Sequence, residues 1–207
     1  VTGERERMND ANADVISSID LSDDEYVIKQ SLVRNKYTVE DSSGTVVLRG
    51  KQKLFKVKEE FPFTDADGDV VFRLKAKNLL DVAGNYALVD EATGETFAVV
   101  EKEFTLFKHV YVVRSPDGDH LATIESESAV VMALKSFSNV LGLLPHSYTI
   151  RGPNDEPIGS ISERFSLRDI YDVRVGDTGD APREAIVAAA IAIDAREGNR
   201  RRELDGG

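Results

Sequence analysis

The run RGKQKLFKVK, residues 49–58, is where this chain could first bind something: it carries Arg49, Lys51, Lys53, Lys56 and Lys58 with no acid among them. Side chains alternate along an extended strand. Arg49, Lys51 and Lys53 therefore share one face, and Lys56 and Lys58 the other, unless the chain bends at Leu54-Phe55. Such a density of cations suits an anionic head group. The plainer alternative is an edge strand that carries lysines against aggregation. NRRRELDGG, residues 199–207, is a second basic cluster and reads as a solvated tail.

Other chemistry is sparse. The histidines are His109, His120 and His146, and there is no cysteine. Without an H-x-x-x-H spacing or a thiolate, no zinc site is expected, and no other metal or cofactor either. His109 and His120 could face each other across a hairpin, with a surface pair as the simpler reading. There is no G-x-S-x-G, no Walker loop and no dinucleotide fingerprint. DADGD, Asp65 to Asp69, resembles the start of a calcium loop, but the twelfth position is Ala76, where an EF-hand needs a bidentate acid. A hairpin turn that favours Asp and Gly explains it better. Asp169 and Asp172 flank Tyr171 beside Arg168 and Arg174, and read as surface ion pairs. No catalytic residue emerges, and an enzyme is not expected.

Those residues sit in a 207-residue chain with 41% apolar residues and a net charge of -11. The charge argues against generic nucleic-acid binding. Arginines, 15, outnumber lysines, 11. An acidic, lysine-poor surface suits a halophilic setting, where self-repulsion is screened. An ordinary acidic cytoplasmic protein is the alternative. No apolar run reaches the ~18 residues of a transmembrane helix, and the first residues lack an apolar signal region. A cytoplasmic location, peripheral at the membrane, is the expectation.

An internal repeat must position all of this. An aromatic residue opens an alternating segment, a polar turn follows, and a β-branched segment returns. The copies begin at Tyr37, Phe61, Tyr86, Tyr111, Tyr148 and Tyr171. Ser43-Gly44, Asp67-Gly68, Thr93-Gly94 and Asp117-Gly118 are hairpin signals, and GPNDEP serves in the fifth copy. With EYVIKQSLV, residues 25–33, as one more strand, eleven or twelve strands result. The long spacing between the fourth and fifth copies holds SAVVMALKSFSNVLGLLP, read as a partly helical insertion over 128–145. FTLFK and FSLRD link hairpins, with their aromatics expected inward.

Many short antiparallel strands at even spacing predict a sandwich or a closed barrel. A barrel of about twelve strands is too wide for its own side chains to fill. PREAIVAAAIAIDAREGN, residues 182–199, supplies a plug: Ala185 to Ile193 carry no polar side-chain atom. A helix over 183–197 would be ~22 Å long and apolar all round, so it must be buried all round. Ile186, Val187, Ala190, Ile191 and Ile193 are its expected contacts, with alanines keeping it thin. A helix on one sheet face, a membrane anchor and a dimerisation helix are the alternatives.

Six hairpins followed by an apolar helix resemble the LURP-one-related family. That family is part of the tubby C-terminal-like group, which also includes phospholipid scramblases. FTLFKHVYVVRSPDGDHLATIES, YTIRGPNDEPIGSISERFSLRDIYDVRV and EAIVAAAIAIDA carry the likeness, over about residues 25–197. The resemblance implies a twelve-stranded antiparallel barrel closed around a central helix, and in tubby-like proteins lipid recognition on a basic surface. The expected organisation is a disordered acidic tail at 1–22, a single barrel domain at 23–198 and a disordered tail at 199–207. The expected function is a non-enzymatic phospholipid head-group binding module at an anionic lipid surface. The alternatives are a protein-interaction scaffold using the 128–145 insertion and, less favoured, scramblase-like lipid transport.

Overall fold

The computed structural model describes residues 16, 19–31, 36–51, 60–76, 85–104, 109–126, 147–164 and 170–193. They form twelve strands: β1 (Glu25–Gln30), β2 (Lys36–Glu40), β3 (Val46–Lys51), β4 (Glu60–Thr64), β5 (Val70–Ala76), β6 (Tyr86–Asp90), β7 (Thr96–Phe104), β8 (His109–Arg114), β9 (His120–Ser126), β10 (Ser147–Arg151), β11 (Pro157–Glu163) and β12 (Ile170–Val175). Each pairs antiparallel with its neighbours in sequence, and β1 closes the barrel on β12. At that closure Tyr26 lies opposite Val173 and Ile28 opposite Tyr171. The helix α1, 183–193, follows.

Because every connection is a hairpin, the barrel has two unlike rims. One carries the turns β2–β3, β4–β5, β6–β7, β8–β9 and β10–β11, each closed by a short polar segment. An aspartate makes the turn in several of them: Asp41 Oδ1 accepts the N–H groups of Ser43 and Thr45. Asp65 Oδ1 likewise accepts those of Asp67, Gly68 and Asp69. Four of these turns place a glycine at positive φ, and the β10–β11 turn uses Asp155 at φ 66°. Aspartate tolerates this left-handed region because its short side chain can bond locally. GPNDEP therefore works without the turn glycine of the other copies. The opposite rim joins the hairpins through 32–35, 52–59, 77–84, 105–108, 127–146 and 165–169, which lie outside the described residues, as does the 128–145 insertion.

The strands alternate as their sequences dictate. Tyr26, Ile28, Tyr37, Val39, Leu48, Phe63, Tyr111, Val113, Ile150 and Val173 are buried and belong to the same apolar cluster as α1. Ala185 to Ile191 and Ile193 are also buried. Seven successive residues, Ala185 to Ile191, span nearly two turns and so every face of a helix. Only an enclosing wall can bury all of them. Ile186, Val187, Ala190, Ile191 and Ile193 all lie in this core. Residues 194–197, the rest of the expected helix, lie outside the described residues.

The turn rim is closed by a strap that the sequence reading missed. Within the tail expected to be disordered at 1–22, Ile16, Ile19 and Leu21 are buried in the core; residues 1–15, 17 and 18 lie outside the described residues. The Ile16 N–H donates to Glu184 Oε1 at 3.0 Å, and the Ser42 N–H to Asp23 Oδ2 at 2.9 Å. Apolar side chains three and two residues apart, set among acids, form no period that alternation or helix analysis detects.

Candidate functional site

β3 alternates sharply. Leu48 and Gly50 face the interior, and Arg49 and Lys51 face out. Gly50 is required here because a Cβ would lie 2.6 Å from Phe61 Cε1. Phe61 belongs to an aromatic row running from Tyr37 through Phe63 and Phe72 to Phe97, with ring centroids 4.4 to 5.9 Å apart. That row fixes the inner face of the wall and hence the outward direction of its cations.

The outward cations have different fates. The Arg49 guanidinium donates to the carbonyls of Asp65, at 3.1 Å, and of Ala66. Arg49 is thereby committed to the β4–β5 turn. Lys51 ends β3 and is exposed. Directly opposite it across the β2–β3 ladder stands Lys36, also exposed. Neither ammonium has a hydrogen-bond or ion-pair partner among the described residues. Like charges opposite each other on one face of a sheet repel, so this pair costs stability unless something anionic meets it. Lys53, Lys56 and Lys58 lie outside the described residues, so of the five sequence candidates the structure describes Arg49 and Lys51. It adds Lys36, which sequence order hid because only the strand register brings it beside Lys51.

Elsewhere on the wall, cations are answered by carboxylates. Lys29 bonds Glu40 at 2.5 Å, Arg73 bonds Glu91 at 2.6 Å, Arg114 bonds Glu101 at 2.8 Å and Arg151 bonds Glu125 at 3.1 Å. The hydrogen bond from Arg73 holds the Glu91 carboxyl below its usual pKa. β3 is no edge strand of the closed barrel: it pairs with β2 through Lys51 and with β4 at Arg49 and Gly50.

The remaining candidates resolve into structure. His109 lies opposite Phe104 and His120 opposite Arg114, at the two ends of β8–β9, so the histidines do not face each other. Asp65 Oδ1 is engaged by three turn N–H groups. Among the described residues no group of acids and histidines is placed to hold a metal ion. Asp172 pairs with Arg164 at 2.5 Å and Arg174 with Glu25 at 3.1 Å. Asp169 and Arg168 lie outside the described residues.

One buried polar cluster remains, at the N-terminus of α1. Arg183 donates to the carbonyls of Asp23 at 2.5 Å, Gly176 at 2.9 Å and Val175 at 3.4 Å, and to Asp24 Oδ1 at 3.3 Å. Burial pushes the nearby Tyr26 phenol well above its ordinary pKa, against the opposing pull of Arg183, so it stays protonated. This guanidinium ties the strap, the end of β12 and the helix together. Three of its four acceptors are backbone carbonyls of the fold, which makes it a clamp.

The LURP-one-related family profile matches residues 24–194, from the first residues of the wall to just past the described helix. The chain belongs to the LURP-one-related family. No curated protein matches it. This LURP-one-related chain is also similar to a protein from Arabidopsis thaliana known by X-ray crystallography, at 9% identity and a TM-score of 0.52, over 84% of this chain and 91% of that one. At that identity the likeness shows the fold alone. No helix among the described residues is long and apolar enough to cross a membrane.

Proposed function

We propose that this LURP-one-related protein is a non-enzymatic module that binds phospholipid head groups peripherally, through cations on the rim opposite the tight turns. The observation that carries the reading is the Lys36–Lys51 pair: two exposed ammonium groups directly opposite each other, with no partner among the described residues. The helix supports the non-enzymatic part of the reading, because it occupies the space where a barrel of this size would hold a ligand. Lys53, Lys56 and Lys58 lie in the sequence that joins Lys51 to Glu60, and their charges add to the same reading.

The test is flotation of the full chain with vesicles of phosphatidylcholine alone and with phosphatidylserine added, beside the Lys36→Gln/Lys51→Gln variant. At about 1 kcal/mol per lysine near an anionic surface, the double variant loses roughly 30-fold in affinity. Equal binding to both vesicle types, or an unchanged variant, removes this reading.

A further inference from the structure

The acids are not spread evenly along the chain. The segments that build the turn rim, residues 20–24, 41–45, 65–69, 90–95, 115–119, 152–156 and 176–182, hold sixteen of the thirty-seven acids and none of the twenty-six lysines and arginines. The rest of the chain holds twenty-one acids against twenty-six bases, a net +5. The topology places all seven segments at one end: five are the alternate hairpin turns, one leads into β1 and one leads from β12 to α1. Lys36 and Lys51 stand at the other end of their strands.

Resting on the head-group reading, we propose that this barrel is charge-segregated along its axis and docks on an anionic phospholipid surface by the Lys36–Lys51 rim, with the acidic turn rim facing away. The separation decides what a surface feels. From Lys36 to the turn at Asp41 is five residues, about 17 Å of strand, or about 13 Å along the axis at the usual strand tilt. The screening length is about 30 Å at 0.01 M salt and about 8 Å at 0.15 M. In dilute salt the membrane feels both rims, and the net negative charge repels the protein. Near physiological salt the far rim is screened and the near cations act alone. At high salt their attraction is screened in turn. Docking therefore peaks at intermediate salt, whereas a uniformly mixed surface gives a monotonic response.

The chain has no cysteine, so single dye positions are easily made. Ala66 and Ala76 are both exposed and mark opposite rims of the β4–β5 hairpin. The experiment places a dye at Ala66→Cys or Ala76→Cys in the full chain. It then measures quenching by a head-group-attached quencher in phosphatidylcholine/phosphatidylserine vesicles across a salt series. The proposal expects quenching at Ala76→Cys and little at Ala66→Cys, with binding highest between the salt extremes. A companion variant, Asp67→Asn/Glu95→Gln/Asp117→Asn/Asp180→Asn, removes acids whose side chains make no hydrogen bond or ion pair among the described residues. It should bind about threefold or more tightly at 0.01 M salt and about equally at 0.15 M. Binding with both dyes equally quenched, or with Ala66→Cys the more quenched, overturns the orientation and leaves head-group binding standing. Absence of binding to anionic vesicles at every salt overturns both. Heparin binding without vesicle binding overturns a lipid surface as the partner.

Discussion

Replacing Arg183 with methionine tests whether the turn rim is held by its clamp. Methionine keeps most of the apolar stem and removes the donors. Two of the four contacts are close, to the Asp23 and Gly176 carbonyls at 2.5 and 2.9 Å, and two are long, to Asp24 and Val175 at 3.3 and 3.4 Å. A hydrogen bond from a charged donor contributes about 1.5–3 kcal/mol, and a buried carbonyl left without a partner costs about 1–3. Arg183 is 8% exposed, so the desolvation of its charge offsets part of that gain. Asp24 is exposed and recovers water when released. The balance is a destabilisation of about 3 kcal/mol. For a chain of this size that lowers Tm by roughly 6–12 °C. Calorimetry and a urea titration read it, the latter as a lower midpoint at unchanged slope. Arg164→Gln is the control: its bond to Asp172 is on the surface, and its loss should cost under about 1 kcal/mol. If Arg183→Met unfolds within about 1 kcal/mol of the parent, the clamp does not hold the rim and the reasoning from its geometry fails.

Other outcomes follow from the same packing. Gly159→Ala would push a Cβ to 2.2 Å from the Arg174 carbonyl oxygen. It should cost about 1–3 kcal/mol or more, measured by thermal unfolding, because backbone cannot step aside as a flexible side chain can. Ile191→Ala removes a buried contact of the plug and should cost about 2–5 kcal/mol; a smaller loss in a urea titration would mean the wall does not grip the helix. Lys36→Gln removes one member of a repelling pair, so its Tm should equal or slightly exceed the parent's even as vesicle binding weakens. Acid should destabilise the turn rim. Hydrogen bonds from Ser22, Ser42 and Ser43 hold the Asp20, Asp23 and Asp41 carboxyls below the usual range. A lowered folded pKa gives stability that is present above the unfolded value near 4 and is lost as pH falls through the folded values. A pH series of unfolding midpoints should therefore fall below about pH 4, and a flat profile there would contradict those bonds.

The wall was legible because turn chemistry punctuates it. Asp-Gly and Ser-Gly pairs mark hairpins through backbone geometry that few other residues adopt, so strands could be counted without knowing what they pack against. The helix was legible because a nine-residue apolar run has to be surrounded. The candidate site was only half visible. Arg49 and Lys51 advertise themselves by local density, but Lys36 joins Lys51 through register, and a sequence does not display the partner across a ladder. Arg49 looked available because nothing in its neighbourhood reveals that it bends toward the carbonyls of a turn sixteen residues on. The strap was missed for a related reason. Ile16, Ile19 and Leu21 acquire meaning from an apolar core that the rest of the chain builds.

The central helix also sets the order in which this molecule can come into being. It begins at residue 183, after the last of the twelve strands. During synthesis every hairpin emerges from the ribosome before the element that fills the space between them. The Ile16–Glu184 bond joins groups 168 residues apart. Hairpins can form locally as they appear, yet their apolar inner faces have nothing to cover until α1 is translated. A nascent chain is thus a wall awaiting its filling, exposed to self-association until α1 follows. Premature termination just before residue 183 would leave all twelve strands present and no fold for them to keep.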